Sequence, residues 1–322
     1  MSGTKLASLP DREGFAGSFA GVSHGTLLVA GGANFPDKRP WEGGTKVWTD
    51  TVFALDRPQG AWKVVGKLPR PLGYGVSASY RDGVICVGGS DLSQHYSEAF
   101  RLEWRGGKLL TLPLPALPIP LANGCGTLVG ETLYVAAGQE SPTSKTASRR
   151  VFGLKLSRAS STWRELPPVP GPGRILATAA AFSGSFWLFG GAELYTDESG
   201  AVKRRYLKDA YQLTPGKGWR QLADLPSPVV AAPSPAPTSK TGIFVLGGDD
   251  GSRVGLPPQE HPGFSKNLLR YNPKTNCWTR DGELEVARVT VPVVHWGKRW
   301  IIAGGEARPG VRSPEVWSWE LP

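Results

Sequence analysis

Cysteine is scarce in this chain of 322 residues: Cys86, Cys125 and Cys277 are the whole set. An odd number with no CxxC or other metal spacing argues against a disulfide framework, and the expectation is that all three pack as small buried hydrophobes. Long hydrophobic runs are also missing. No stretch approaches the roughly 18 apolar residues of a membrane helix, and Met1-Ser2-Gly3-Thr4-Lys5 is followed by no apolar signal-peptide core. As written, the chain reads as soluble and cytoplasmic; with a leader removed, a periplasmic or secreted protein would read the same. Sustained 3.6-residue periodicity is nearly absent, which excludes a helical bundle. The net charge is +10, yet no long basic run accompanies it. Lys203-Arg204-Arg205 and Arg149-Arg150 are short and scattered, so nucleic acid is not the expected partner.

What is abundant is turn chemistry: 42 Gly and 29 Pro accompany 40% hydrophobic residues. That combination describes an all-β chain. Six short β-type runs end in a small-residue doublet, at Gly31-Gly32, Gly88-Gly89, Ala137-Gly138, Gly190-Gly191, Gly247-Gly248 and Gly304-Gly305. The doublets start 57, 49, 53, 57 and 57 residues apart, a period resembling the roughly 50 residues of kelch repeats, each of which folds as one propeller blade. A third strand follows each doublet, with Phe53, Phe100, Phe152, Tyr211 and Trp317 in comparable places and Leu269 in the fifth repeat. A fourth strand starts near Trp62, Trp163, Trp219 and Trp278. The last repeat, about 285–321, has no sequence left for a fourth strand before Pro322. The N-terminal segment, about 4–10, ends in Leu9-Pro10 like the other fourth strands and is the expected substitute. The reading is one domain over 1–322: a six-bladed kelch β-propeller whose last blade takes three C-terminal strands and one N-terminal strand, hiding two sheet edges.

Strand parity places the loops after the doublets and those leading into each new blade on one face. Asn34, Ser90, Asp91, Glu306 and Arg312 follow doublets; Arg70, Asn123, Arg174 and Arg288 stand near the starts of inner strands. Several arginines with a few carboxylates in a concavity suit a small, anionic, hydroxyl-rich ligand, although each arginine could equally serve a structural ion pair. Glu306 stands apart. It directly follows the sixth doublet, is flanked by Arg308 and Arg312, and sits in a loop stiffened by Pro309-Gly310, as a general base requires.

Gly305-Glu306-Ala307-Arg308-Pro309-Gly310-Val311-Arg312 resembles the catalytic loop of the bacterial kelch-type N-acetylneuraminate epimerases, or sialic acid mutarotases. Gly14 to Gly21, Ala30 to Phe35 and Tyr74-Gly75-Val76-Ser77 are similar to other blade openings of that family. In better-known members the glutamate loop lies mid-chain; here it comes last, as in the cyclically permuted branch. The resemblance implies an isomerase that interconverts the α and β anomers of sialic acid, with Glu306 as proton-abstracting carboxylate and Arg312 as its catalytic partner. It matches Arg174 to a blade-entry arginine of the family; Asn34, Arg70, Asn123, Arg308 and His261 are the further candidate substrate contacts from their loop positions, with a small acidic sugar as the expected partner and neither metal nor cofactor. Trp41-Glu42-Gly43-Gly44-Thr45-Lys46-Val47-Trp48 and His261-Pro262-Gly263-Phe264 belong to the same branch, as loops able to overhang the site. Ser90 stands where the family has an acidic residue, which leaves room for a different sugar acid. The main alternative is a non-catalytic kelch scaffold binding another protein. A kelch-type copper radical oxidase fits poorly, because His24, His95, His261 and His295 fall in separate repeats, and a glycosidase would need paired carboxylates whose spacing sequence cannot give.

Overall fold

The computed structural model describes residues 3–158 and 160–321; Met1, Ser2 and Pro322, at the ends of the 1–322 unit read from sequence, lie outside them. Each repeat becomes a four-stranded antiparallel sheet, and the six sheets are the blades of a propeller. The inner strands are Phe19–Ser23, Val76–Tyr80, Cys125–Val129, Thr178–Phe182, Thr238–Ser239 and Val293–Trp296. Each pairs with the hydrophobic strand that runs into a doublet; Thr26–Ala30 and Ser185–Phe189, for instance, are buried along their whole length. Such strands sit between two sheet faces and so lack a polar side.

The doublets are glycine for a steric reason. Both residues of every pair adopt positive φ, +56° to +84° and then +93° to +107°. A Cβ at Gly31 would lie 2.2 Å from the Leu72 carbonyl oxygen, and one at Gly190 2.2 Å from that of Val229. The second glycine of most pairs then donates its N–H to the next blade, as Gly32 does to Leu72 and Gly191 to Val229. Ala137 takes the same conformation at φ +61°, a cost of about 1 kcal/mol for a residue with a Cβ.

The fourth-strand tryptophans do more than fill space. Trp62, Trp163, Trp219 and Trp278 each donate the indole N–H to a backbone carbonyl of the preceding blade, at Ala7, Pro115, Pro167 and Ala223, over 2.7–2.9 Å. At four of the six joints one side chain thus buries a ring and satisfies a carbonyl just past the neighbouring outer strand. Cys86 and Cys125 are buried as expected, whereas Cys277 is exposed. It opens Cys277–Glu283, the outermost strand of its blade, whose side chains other than Trp278 face outward.

The ring closes as a three-plus-one blade. Thr4–Leu6 pairs antiparallel with Val316–Trp319 in the register Thr4–Ser318, Lys5–Trp317 and Leu6–Val316. The strand is shorter than the 4–10 segment expected from sequence because the chain turns inward beyond it: Leu9 is buried and donates its N–H to Pro314. Two carboxylates clasp this seam. Glu315 accepts from Lys5 at 2.6 Å and from Arg288 at 2.5 Å, while Glu285 accepts from the Gly3 N–H at 2.6 Å and the Trp319 indole at 3.1 Å. The Lys5 hydrogen bond is the main cause holding the Glu315 carboxyl below its ordinary range. For Glu285, burial pushes the other way but is outweighed by the Gly3 and Trp319 donors, so it too is lowered. A depressed folded-state carboxylate contributes stability that is present above its unfolded pKa and lost as pH falls through the folded one. The seam is therefore expected to loosen on acidification below about pH 4.5. Exchange protection of the Thr4–Leu6 amides that face Val316–Trp319 should be lost there before that of the inner strands; simultaneous loss of protection would contradict a carboxylate-held seam.

A second ring lies inside the first. Gly17, Tyr74, Asn123, Leu176, Ala231 and Thr290, one from the start of each blade, all have φ between +54° and +69°. Each donates its N–H to the carbonyl of the equivalent residue one blade back, over 2.7–2.9 Å, and the sixth bond returns to the first residue. Five of the six carry a Cβ, and Thr290 is β-branched, the type of residue that tolerates this region least. Their conformation is imposed by the closed hydrogen-bonded belt. It constricts the central channel to about 80 Å³ at this level and provides the floor of the concavity above.

Candidate functional site

Above the belt opens a cavity of about 450 Å³. Tyr74, Asn123, Leu176 and Thr290 of the belt form its floor, and the loops after the first, second, third, fourth and sixth doublets form its walls. The side on which sequence parity placed both sets of loops is thus one surface.

Glu306 and Arg312 meet here because the sixth doublet leads into a hairpin, Glu306–Arg308 against Val311–Arg312, in which residues 306 and 312 are directly opposed. Pro309-Gly310 make the turn, with Gly310 at φ +77°. The Gly310 N–H donates back to Glu306 Oε1 at 2.7 Å, and Arg312 Nη1 donates to the same oxygen at 2.6 Å. One carboxylate oxygen is therefore fixed twice; the side chain remains 19% exposed, toward the cavity. Arg312 is more deeply set. Its guanidinium lies 4.9 Å from the centre of the Phe35 ring, Nη2 is 3.4 Å from the Tyr74 hydroxyl, and Nε is buried without a partner. A Cβ at Gly310 would stand 2.9 Å from Pro40 and 3.1 Å from Trp41, so the 40–48 loop packs directly on the turn.

Two further titratable groups of the cavity, Asp91 and His95, are held by their own neighbours. Asp91 accepts from the Ser93 and Gln94 N–H groups, the Ser93 hydroxyl and, through a very short bond, the Tyr96 hydroxyl. Burial opposes its ionisation, but these donors prevail and hold it at about 2. His95 places Nδ1 2.8 Å from the Gln139 carbonyl oxygen, which fixes Nδ1 as the protonated nitrogen. Burial lowers its pKa against the pull of that bond and of Asp91, leaving a neutral ring whose Nε2 is an acceptor.

Of the residues expected from sequence to touch substrate, Asn123 lines the cavity with Glu306 and Arg312; the others do not. Arg174 is fully buried, paired through both terminal nitrogens with Asp209 at 2.6 and 2.8 Å and donating to Gly190. Arg70 lies outside the cavity, on the Tyr96 ring and 2.9 Å from Glu98. Arg288 repeats the arrangement with Glu315. All three are latches, in which an arginine leading into one blade bonds the acid just before that blade's third strand. Asn34 is buried and donates to Asp11. Arg308 turns away to donate to the Gln259 carbonyl, and His261 accepts from the Gly263 N–H against Phe264. The 259–264 segment therefore braces the outside of the hairpin, while the 41–48 loop supplies walls through Lys46 and Trp48.

Since Arg174 is wholly desolvated, removing its partner is costly. Asp209→Ala is expected to destabilise the protein by about 3–5 kcal/mol, read as a lowered denaturant midpoint. A change under about 1 kcal/mol, the size found for surface pairs, would contradict a structural latch.

Tyr74, His95 and Phe35 were not among the site residues expected from sequence, and Lys46 and Trp48 entered only as part of the overhanging 41–48 loop. The signal that could have found Tyr74 is positional: it is the counterpart of Asn123 at the start of a neighbouring blade.

A family model described as N-acetylneuraminate epimerase matches residues 4–111 and 114–254. Among curated relatives, the N-acetylneuraminate epimerase of Yersinia pestis (strain Pestoides F) is 46% identical over 110 residues, covering 30% of this chain and 27% of the relative. That of Salmonella enteritidis PT4 (strain P125109) is 43% identical over 109 residues, covering 31% and 28%. The aligned region thus spans little more than a quarter of those relatives' length. A solved structure described as "Structure of YjhT" superposes with a TM-score of 0.70 over 98% of this chain and 97% of that one, at 16% identity, which supports the propeller fold. The family match ends at residue 254, before the Glu306 hairpin.

Proposed function

We propose, from the premise that the chain belongs to the N-acetylneuraminate epimerase family, that it interconverts the α and β anomers of N-acetylneuraminate by opening and reclosing the sugar ring. The observation that carries this reading is the Glu306–Arg312 pair, with one carboxylate oxygen pinned and the side chain open to a sugar-sized cavity. In the proposed reaction Glu306 takes the proton of the anomeric hydroxyl. As that oxygen becomes a ketone, the bond from the anomeric carbon to the ring oxygen breaks, and the ring oxygen receives a proton from water or a polar residue of the cavity. Rotation about the bond to the exposed ketone and reversal of the steps give the other anomer. Oxidation state is unchanged throughout.

Arg312 fixes the orientation of the carboxylate and offers N–H groups to the charge that develops on oxygen. General acid–base assistance of this kind contributes about 10²- to 10⁴-fold, adequate for a ring opening that already proceeds unaided in water. The test is polarimetry on freshly released α-anomer: catalytic amounts of protein should hasten the approach to equilibrium in proportion to their concentration. A rate equal to that of buffer would overturn the assignment.

A further inference from the structure

Two cations lining this cavity, Lys46 and Arg204, have no acid partner among the described residues, and Lys46 is the one set inside it rather than at its rim. Of the charged side chains lining it, Glu306 is paired with Arg312, and Asp91 is satisfied by its own turn and Tyr96. Arg204 is exposed at the rim, on the hairpin of Ala192–Thr196 and Val202–Tyr206. Lys46 is half-buried and forms no ion pair among the described residues. Its ammonium rests 5.3 Å from the centre of the Trp48 ring and 5.2 Å from that of Tyr74. Those two rings meet edge to face at 6.1 Å, so they form a fixed rest for the charge. The Tyr74 hydroxyl in turn adjoins Arg312, which holds Glu306. A free cation is thus connected by contacts to the carboxylate that does the chemistry.

Arg312 is poorly placed for a second anion. It is 7% exposed, Nη1 is spent on Glu306, and one face is covered by Phe35. Presenting a bidentate fork to a substrate carboxylate would mean giving up the pair that orients the base. Lys46 has no such commitment, and its long stem lets the ammonium move within the cavity. The substrate of the reading above carries its carboxylate directly on the anomeric carbon, so whatever holds that group also stations the reacting centre.

We infer that Lys46 binds the carboxylate of the sugar acid and thereby sets the anomeric carbon over Glu306, an inference that rests on the proposed anomer exchange. Selectivity for acidic over neutral ketoses then resides in the 41–48 loop rather than in Arg312. Lys46→Met keeps the stem on Trp48 and Tyr74 while deleting the charge, and Lys46→Arg restores a cation. For N-acetylneuraminate, Lys46→Met should raise KM by about 10- to 100-fold, the worth of one charge-assisted hydrogen bond, with kcat changed by less than about threefold. Lys46→Arg should recover most of the loss. The methyl ester of the same sugar should show the raised KM already in the wild type and be indifferent to Lys46→Met.

An unchanged KM in Lys46→Met, with exchange intact in the wild type, would overturn the role of Lys46 and leave the reaction standing. Equal losses for acid and ester, or a lowered melting temperature, would mark Lys46 as structural and overturn it too. If the wild type fails to exchange anomers but binds the acid by calorimetry, and Lys46→Met abolishes that binding, the carboxylate site is upheld and the reaction reading falls. Neither binding nor exchange in the wild type overturns both.

Discussion

Glu306→Gln is expected to lower catalysed anomer exchange by about 10²- to 10⁴-fold while leaving the propeller folded. The amide keeps the shape of the side chain and one oxygen able to accept from the Gly310 N–H and Arg312 Nη1. What it loses is the capacity to take a proton. Arg312, 7% exposed, would then lack its counter-charge, so the melting temperature should fall by a few degrees, roughly 2–4 °C per kcal/mol in a chain somewhat smaller than this one. Glu306→Asp separates charge from position: it keeps the carboxylate but withdraws it by about one bond length, and should fall between wild type and Gln if placement matters. Full activity in Glu306→Gln would remove Glu306 from the chemistry, whatever the fate of the sugar assignment.

Deleting residues 1–10 should be the most damaging change to the fold. It strips Thr4–Leu6 from Val316–Trp319, removes buried Leu9, and takes the Ala7 carbonyl from the Trp62 indole. Burial of one leucine is worth about 1.5–3 kcal/mol, and each lost hydrogen bond about 1 kcal/mol. The total is on the order of 5 kcal/mol, so the melting temperature should drop by about 10 °C or more. Activity should fall with it. The Glu306 hairpin is carried between Arg299–Ala303 and Val316–Trp319 of this same blade, and Gly305 donates its N–H to Phe15, just beyond the deleted segment. Leu9→Ala offers a milder reading, with an expected loss of about 2–5 kcal/mol and an intact ladder. A peptide of residues 1–10 added to the truncated protein should restore part of both properties. Wild-type stability in the deletion variant would mean that the seam contributes nothing to the ring.

The features legible in the sequence are those that one residue type alone can satisfy. Consecutive positive-φ residues against a neighbouring carbonyl favour Gly-Gly, so the doublets counted the blades; Ala137 shows that the rule bends without breaking. The stiffened loop at Pro309-Gly310 was legible, and the family resemblance singled out Glu306 and Arg312; the hairpin register that opposes the two came only with the structure. The inner belt was not, since Gly17, Tyr74, Asn123, Leu176, Ala231 and Thr290 share a conformation and a backbone bond but no chemistry. Nor could sequence tell latch from ligand. Arg70 and Arg174 occupy the positions expected of ligand-binding arginines, and the acids that claim them, Glu98 and Asp209, lie 28 and 35 residues downstream. Lys46 was hidden for the opposite reason. Its importance comes from having no acid partner among the described residues, which shows only once Glu306 and Asp91 beside it are seen to be engaged.

Magnetisation exchange between the α and β anomeric signals of N-acetylneuraminate at equilibrium, recorded by NMR with and without the protein, tests the central claim without any change in composition to follow. Transfer between the two signals should grow in proportion to wild-type protein and return to the buffer level with Glu306→Gln. Transfer at the buffer level with wild-type protein, or undiminished transfer with Glu306→Gln, would contradict it.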